Sequence, residues 1–155
     1  MISMNRIIVP IDFSDYSKKA LRYAVEFARR YTAEIVLVYV VEPVVYPADF
    51  SFGQVAVPSM ERELFERGEE QLKKLIATEV GDAVTARSQV RSGKPFVEII
   101  ACAKEEKADL IIIATHGHTG IEHVLFGSTA EKVVRKAPCP VLTLRDKERD
   151  FVVPA

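Results

Sequence analysis

Hydrophobic positions along this chain change period repeatedly, from short runs that are apolar at every residue to three- and four-residue spacings. That switching marks strands alternating with helices. Arg6 to Ile11 reads as a first strand. Asp15 to Tyr31 follows as a helix, with Ser14 as N-cap and Ala20, Leu21, Ala24, Val25 and Ala28 along one face. Ile35 to Val41 is apolar throughout, as expected of a strand covered on both faces of a parallel sheet. Residues 42–58 contain Pro43, Pro47, Gly53 and Pro58 and are expected to form a long connection, a candidate lid or partner-contacting loop. A helix capped by Ser59 then runs to Val80, where Gly81 stops it, and buries Leu64, Phe65, Leu72, Leu75 and Ile76. Its other side carries Glu63 with Arg67, Glu69 with Lys73 and Glu70 with Lys74, the i,i+4 order of a solvated face.

Val84 to Arg91 alternates and predicts a more exposed strand near a sheet edge. Gly93 and Pro95 open a helix that carries Ile99, Ile100 and Ala103 and ends near Lys107. Asp109 to Ala114 is another buried strand, Ser128 to Lys136 a last helix stopping before Pro138, and Pro140 to Leu144 a final strand. With right-handed crossovers this succession predicts an α/β fold: an open five-stranded parallel sheet, doubly wound and Rossmann-like. Residues 1–145 are expected to form one domain, with 146–155 as a C-terminal tail.

Composition narrows the function. Against 22 acidic side chains stand 21 Lys and Arg, a net charge of -1, so no positive excess exists to hold a nucleic-acid backbone or an acidic membrane. The longest apolar run, Ile35 to Val41, is far shorter than a membrane span, and the first residues lack a signal-peptide pattern, so a cytoplasmic location is expected. Cys102 and Cys139 form no CxxC pair and read as buried thiols.

In an open parallel sheet, ligands bind beyond the carboxyl ends of the strands where successive crossovers diverge. The loops after strands one and four are therefore the candidates. Pro10-Ile11-Asp12-Phe13-Ser14 has no glycine, which removes the GxGxxG dinucleotide fingerprint, and no GK[ST] follows the glycines after strand four, which removes a Walker A loop. Gly117 and Gly127, followed by Ser128 and Thr129 at a helix start, offer close backbone approach, unpaired N–H groups and hydroxyl donors to an anion. Asp12 is an acceptor for a base amine or a sugar hydroxyl. The same residues also fit tight turns at Gly117 and Gly120 and a plain cap at Ser128; spacing does not separate the two readings.

From RIIVPIDFSD to APCPVLTLR the sequence resembles the universal stress protein family. Its nucleotide-binding members carry G-x2-G-x9-G-[ST] after the fourth strand, which Gly117, Gly127 and Ser128 match, while Ala114 stands where the first glycine would be. That methyl is compatible with strand dihedrals and incompatible with positive φ. The resemblance implies strand order 3-2-1-4-5, a homodimer, and ATP, ADP or AMP bound with Mg or Mn through the phosphates. It further implies that Pro10, Ile11, Asp12 and Val40 line the adenine and ribose pocket. Ala114, Thr115, His116 and Gly117 would wrap ribose and phosphates, and Gly127, Ser128 and Thr129 would hold the phosphate chain.

His116, His118 and His123, with Glu122, invite a metal reading, but zinc needs three or four converging ligands and the bland reading, His116 beside the ribose and the others solvated, is preferred. No positioned nucleophile or base is evident, so a nucleotide-binding sensor or interaction protein of the stress response is expected from the resemblance, with a slow ATPase using the same pocket or a nucleotide-independent interaction protein as the alternatives. Pro140 to Leu144 is expected at a sheet edge, pairing with its copy in a second subunit. Gly127→Val is expected to weaken nucleotide binding with the fold largely intact.

Overall fold

The computed structural model describes residues 1–43, 57–117 and 126–145. Five strands, β1 (Arg6–Pro10), β2 (Glu34–Val41), β3 (Ala86–Ser92), β4 (Leu110–Ala114) and β5 (Val141–Leu144), form one sheet in the order β3-β2-β1-β4-β5. All pairings are parallel, with Ile7 opposite Ile35 on one side of β1 and Leu110 on the other. Alternate side chains of each strand enter different cores. Ile7, Val9, Ile35, Leu37, Leu110 and Ile112 pack with α1 (Asp15–Tyr31) and α2 (Val57–Leu75). Ile8, Val36, Val38, Ile111 and Ile113 pack with α3 (Pro95–Glu105) and α4 (Ser128–Lys136) on the opposite face. The expected doubly wound sheet is therefore what the chain forms.

Boundaries differ in instructive ways. Ser14 caps α1 as expected, its hydroxyl accepting from Ser17 N–H. Ser59 does not cap α2, which starts at Val57 and leaves Ser59 inside the first turn. The same helix widens into a π turn over Ile76–Val80 before Gly81 ends it; Gly81 donates its N–H to Ile76 O at 2.8 Å and takes φ of 56°, a conformation that suits glycine. Gly127, rather than Ser128, is the N-cap of α4. Cys102 is buried as expected, and desolvation pushes its thiol up to about 11. Cys139 is only half-buried.

A row of charges ties the amino-terminal end of the sheet to α3. Glu34 bridges Arg6 (3.1 Å) and Arg87 (3.0 Å) across three strands, and Arg87 also pairs with Glu106. Hydrogen bonds from Arg87, Arg91 and Arg22 hold Glu106, Glu105 and Glu79 respectively below the ordinary carboxylate value of 4.5. Because the unfolded chain regains that value, it takes up more protons than the fold as pH drops through this window, so the contribution is complete above the ordinary value and lost below it. Melting temperature is expected to stay level from about pH 8 to 6 and to decline below about pH 5. A melting temperature that rises on acidification would contradict this.

Candidate functional site

Diverging crossovers open the sheet between β1 and β4. Chain leaving β1 turns into α1 on one face, whereas the chain after β4 leads to α4 on the other. A cavity of about 400 Å³ sits beyond the carboxyl ends of these strands. All eleven residues singled out by sequence border it. Pro10, Ile11 and Asp12 come from the end of β1 and the turn after it, and Val40 from β2. Ala114, Thr115, His116 and Gly117 come from the end of β4 and the residues that follow, and Gly127, Ser128 and Thr129 from the start of α4.

Two close approaches shape the floor. Gly127 N–H donates to Thr115 O at 2.7 Å, and a Cβ on Gly127 would lie 2.9 Å from that carbonyl. A Cβ on Gly117 would lie 2.5 Å from Asp12 Oδ2. Neither glycine has positive φ, so at both positions it is the neighbouring atom rather than turn geometry that excludes a side chain. Ala114 is a strand residue paired with Leu144, also without positive φ, so its methyl strains no backbone.

Ser128 is the first residue of α4, and no side chain caps this helix. Glu131 is the first to bond back into it, its N–H reaching Gly127 O at 3.1 Å. The amides of Ser128, Thr129 and Ala130 precede that bond and are the helix's orphan donors, at the positive end of its dipole. His116 packs its ring near Tyr16, with centroids 5.7 Å apart, and its Nδ1 is 3.1 Å from Thr115 Oγ1. Thr115, only 1% exposed, is anchored in turn to Leu144 O at 3.2 Å.

Sequence reasoning missed several walls. Val38 and Ile113 carry the alternation of their strands to the cavity, a signal available in the β2 pattern that already placed Val40. Pro95 and Ile99 arrive from α3, and Ser17 from α1, through packing that no local pattern announces. Glu42, just past β2, adds a second carboxylate to that of Asp12. No Lys or Arg lines the cavity among the described residues. His118, Gly120, Glu122, His123, most of the 42–58 connection and the 146–155 tail lie outside the described residues; within them, no three His, Cys, Asp or Glu side chains are grouped to hold a metal. A wider hollow of about 580 Å³ runs along edge strand β3, where Arg91 is already paired with Glu98 at 2.9 Å, away from the strand carboxyl ends that form the switch-point crevice.

The fold defines a small, doubly wound α/β domain of Rossmann-like type with a crevice at its switch point. A profile described as the universal stress protein family matches residues 4–145, and the chain belongs to that family. It is 37% identical over 150 residues to universal stress protein MJ0531 of Methanocaldococcus jannaschii, covering 94% of this chain and 84% of that protein. In structure it is similar to universal stress protein UspA from Lactobacillus plantarum, with a TM-score of 0.75, 28% identity, and coverage of 94% of this chain and 100% of the other. Two more distant structures share the fold. One is a universal stress protein in complex with cAMP (TM-score 0.61, 21% identity, 93% of this chain and 98% of the other). The second is the Archaeoglobus fulgidus universal stress protein in complex with dAMP (TM-score 0.55, 22% identity, 92% and 98%).

Proposed function

We propose that this chain binds an adenine nucleotide in the switch-point crevice and works as a cytoplasmic, homodimeric sensor or interaction protein in the stress response. The observation that carries the reading is the convergence of all eleven candidate residues on one cavity that ends at the open N-terminus of α4. Val38, Val40, Ile99 and Ile113 supply an apolar seat for the base, Asp12 an acceptor for a base amine or ribose hydroxyl, and Gly127 to Thr129 amides and hydroxyls for phosphate. The cAMP and dAMP complexes of distant relatives support the same ligand class.

ATP, ADP and AMP all fit this chemistry. With two carboxylates and no described cation on the walls, a triphosphate calls for Mg or Mn bound through its own oxygens. Mass spectrometry of ligand released from purified protein, followed by calorimetry with AMP and with ATP in the presence and absence of Mg²⁺, tests the assignment. Ser128→Ala is expected to weaken ATP binding about tenfold, the worth of one hydroxyl donor to a charged oxygen. Unaltered affinity removes Ser128 from the phosphate site. We read the chain as a binding protein rather than an enzyme; a phosphate-release assay on the native protein measures any slow hydrolysis.

The dimer is proposed to form through β5, the last strand in the sheet order. The carbonyls of Pro140 and Leu144 accept from Ile111 of β4 and from Thr115 just after it, so the backbone groups of the alternating residues Val141 and Thr143 face the outer edge. Thr143→Pro removes an outward donor without touching the β4 pairing and is expected to convert the dimer to monomer in light scattering. A variant with unchanged mass overturns this interface.

A further inference from the structure

Thr115 and His116, the two residues that follow β4, share a hydrogen bond whose direction the rest of the fold determines. Thr115 is 1% exposed. Its N–H donates to Leu144 O at 2.9 Å, and its hydroxyl oxygen lies 3.2 Å from the same carbonyl. A carbonyl only accepts, and a threonine hydroxyl has a single proton, so that proton is committed to Leu144. His116 Nδ1, 3.1 Å from Thr115 Oγ1, therefore faces lone pairs alone. The nitrogen must carry a hydrogen and donate it.

In a neutral imidazole one nitrogen donates and the other accepts, and the bond made by the first decides the role of the second. With Nδ1–H fixed on Thr115, Nε2 is the bare acceptor. Among the described residues Thr115 is the one hydrogen-bond partner of His116. Tyr16 of α1 supports the ring, with centroids 5.7 Å and planes 39° apart, and His116 borders the switch-point cavity.

This arrangement selects among the groups of a nucleotide. An ionised phosphate offers only lone pairs and cannot satisfy an unprotonated Nε2. The base amine and the ribose hydroxyls can. Val38, Val40, Ile99 and Ile113 form the seat proposed for the base, and the start of α4 the place proposed for phosphate. His116 belongs to neither group, which leaves the sugar as its counterpart.

We infer that Thr115 is a positioning residue for nucleotide binding: by holding His116 in the Nδ1–H form it makes Nε2 an acceptor for a ribose hydroxyl, so that the crevice prefers a ribonucleotide to its deoxy analogue. The inference rests on the nucleotide reading above and names the part of the ligand that His116 selects.

Nitrogen NMR of the full chain reads the ring nitrogens directly, at about pH 8, where an ordinary imidazole is neutral. The spectrum of His116→Phe assigns the signal among the three histidines. Native protein is expected to show a protonated Nδ1 and a bare Nε2; the opposite tautomer overturns the inference before any ligand is added. Thr115→Val, which keeps the shape and removes the acceptor, is expected to shift the ring toward Nε2–H. Titrations with AMP, 2′-deoxy-AMP and 3′-deoxy-AMP then read the consequence. Native protein is expected to bind AMP about tenfold more tightly than at least one deoxy analogue. Thr115→Val and His116→Phe are expected to reduce that preference to less than about twofold, whereas Thr115→Ser keeps both the native tautomer and the preference. A preference that survives in Thr115→Val or His116→Phe overturns the inference, however the variants melt. Should Thr115→Val fail to fold, the native tautomer and His116→Phe decide. Native protein that takes up none of the three nucleotides overturns the nucleotide reading and this inference together, whereas uptake with no sugar preference overturns this inference alone.

Discussion

Gly127→Val is expected to lose both stability and nucleotide uptake. The position has φ of −67° and ψ of 153°, which valine adopts readily, so the backbone conformation is not at issue. The obstacle is the Thr115 carbonyl, 2.9 Å from where the first added carbon would sit and already receiving the Gly127 N–H at 2.7 Å. A backbone oxygen in a strand-end segment cannot swing aside as a side-chain tip does. The start of α4 must therefore move off the end of β4, breaking that hydrogen bond and displacing the amides of Ser128 and Thr129. Overpacking of this kind costs about 1–3 kcal/mol, which for a domain of this size lowers the melting temperature by about 3–9 °C. Because the displaced amides are the proposed phosphate donors, affinity is expected to fall about 100-fold. Thermal melting and ATP calorimetry on one preparation check both effects. Native melting with lost affinity would restore the simpler expectation from sequence, in which valine only blocks the ligand's approach.

Gly117→Ala is expected to separate the two effects. Here the added carbon meets Asp12 Oδ2 at 2.5 Å, an atom at the end of a side chain. Rotating that carboxylate relieves the clash, at the expense of its two bonds from Ser14. The fold is expected to survive, with the melting temperature lowered by no more than about 4 °C. Binding is expected to drop about 30- to 100-fold, since a misdirected carboxylate loses a charge-assisted hydrogen bond to the ligand. Calorimetry showing native affinity in Gly117→Ala would exclude Asp12 from contact with the ligand.

The two glycines look alike in the primary structure and differ only in what stands opposite. Their spacing allowed turns as readily as a cradle; what confines each to glycine is a neighbour that spacing does not show, the Asp12 carboxylate in one case and the Thr115 carbonyl in the other. The last helix starts at Ser128 as expected, with Gly127 as its N-cap. At Ser59 the local capping rule failed, because α2 extends two residues further back, through Pro58, a residue tolerated in a first helical turn. At the π turn over Ile76–Val80 the stripe steps five residues, from buried Leu75 to buried Val80, a spacing that the expected stripe, which ended at Ile76, did not include.

Hydrophobic period, by contrast, settled the strands and helices, since burial on both faces of a sheet demands continuous apolar runs and a helix packed on a sheet demands a stripe. That logic is local and needs no partner to be known. Parallel strands joined by right-handed crossovers then leave few topologies, which is why the doubly wound sheet and its switch point were readable from one chain. Contacts between the ends of β1, β4 and α4 were not, nor was the orientation of Asp12. These depend on approaches between separate elements, the Asp12 carboxylate beside Gly117 and the Gly127 N–H on the Thr115 carbonyl, and only the folded packing of both layers on the sheet brings them there.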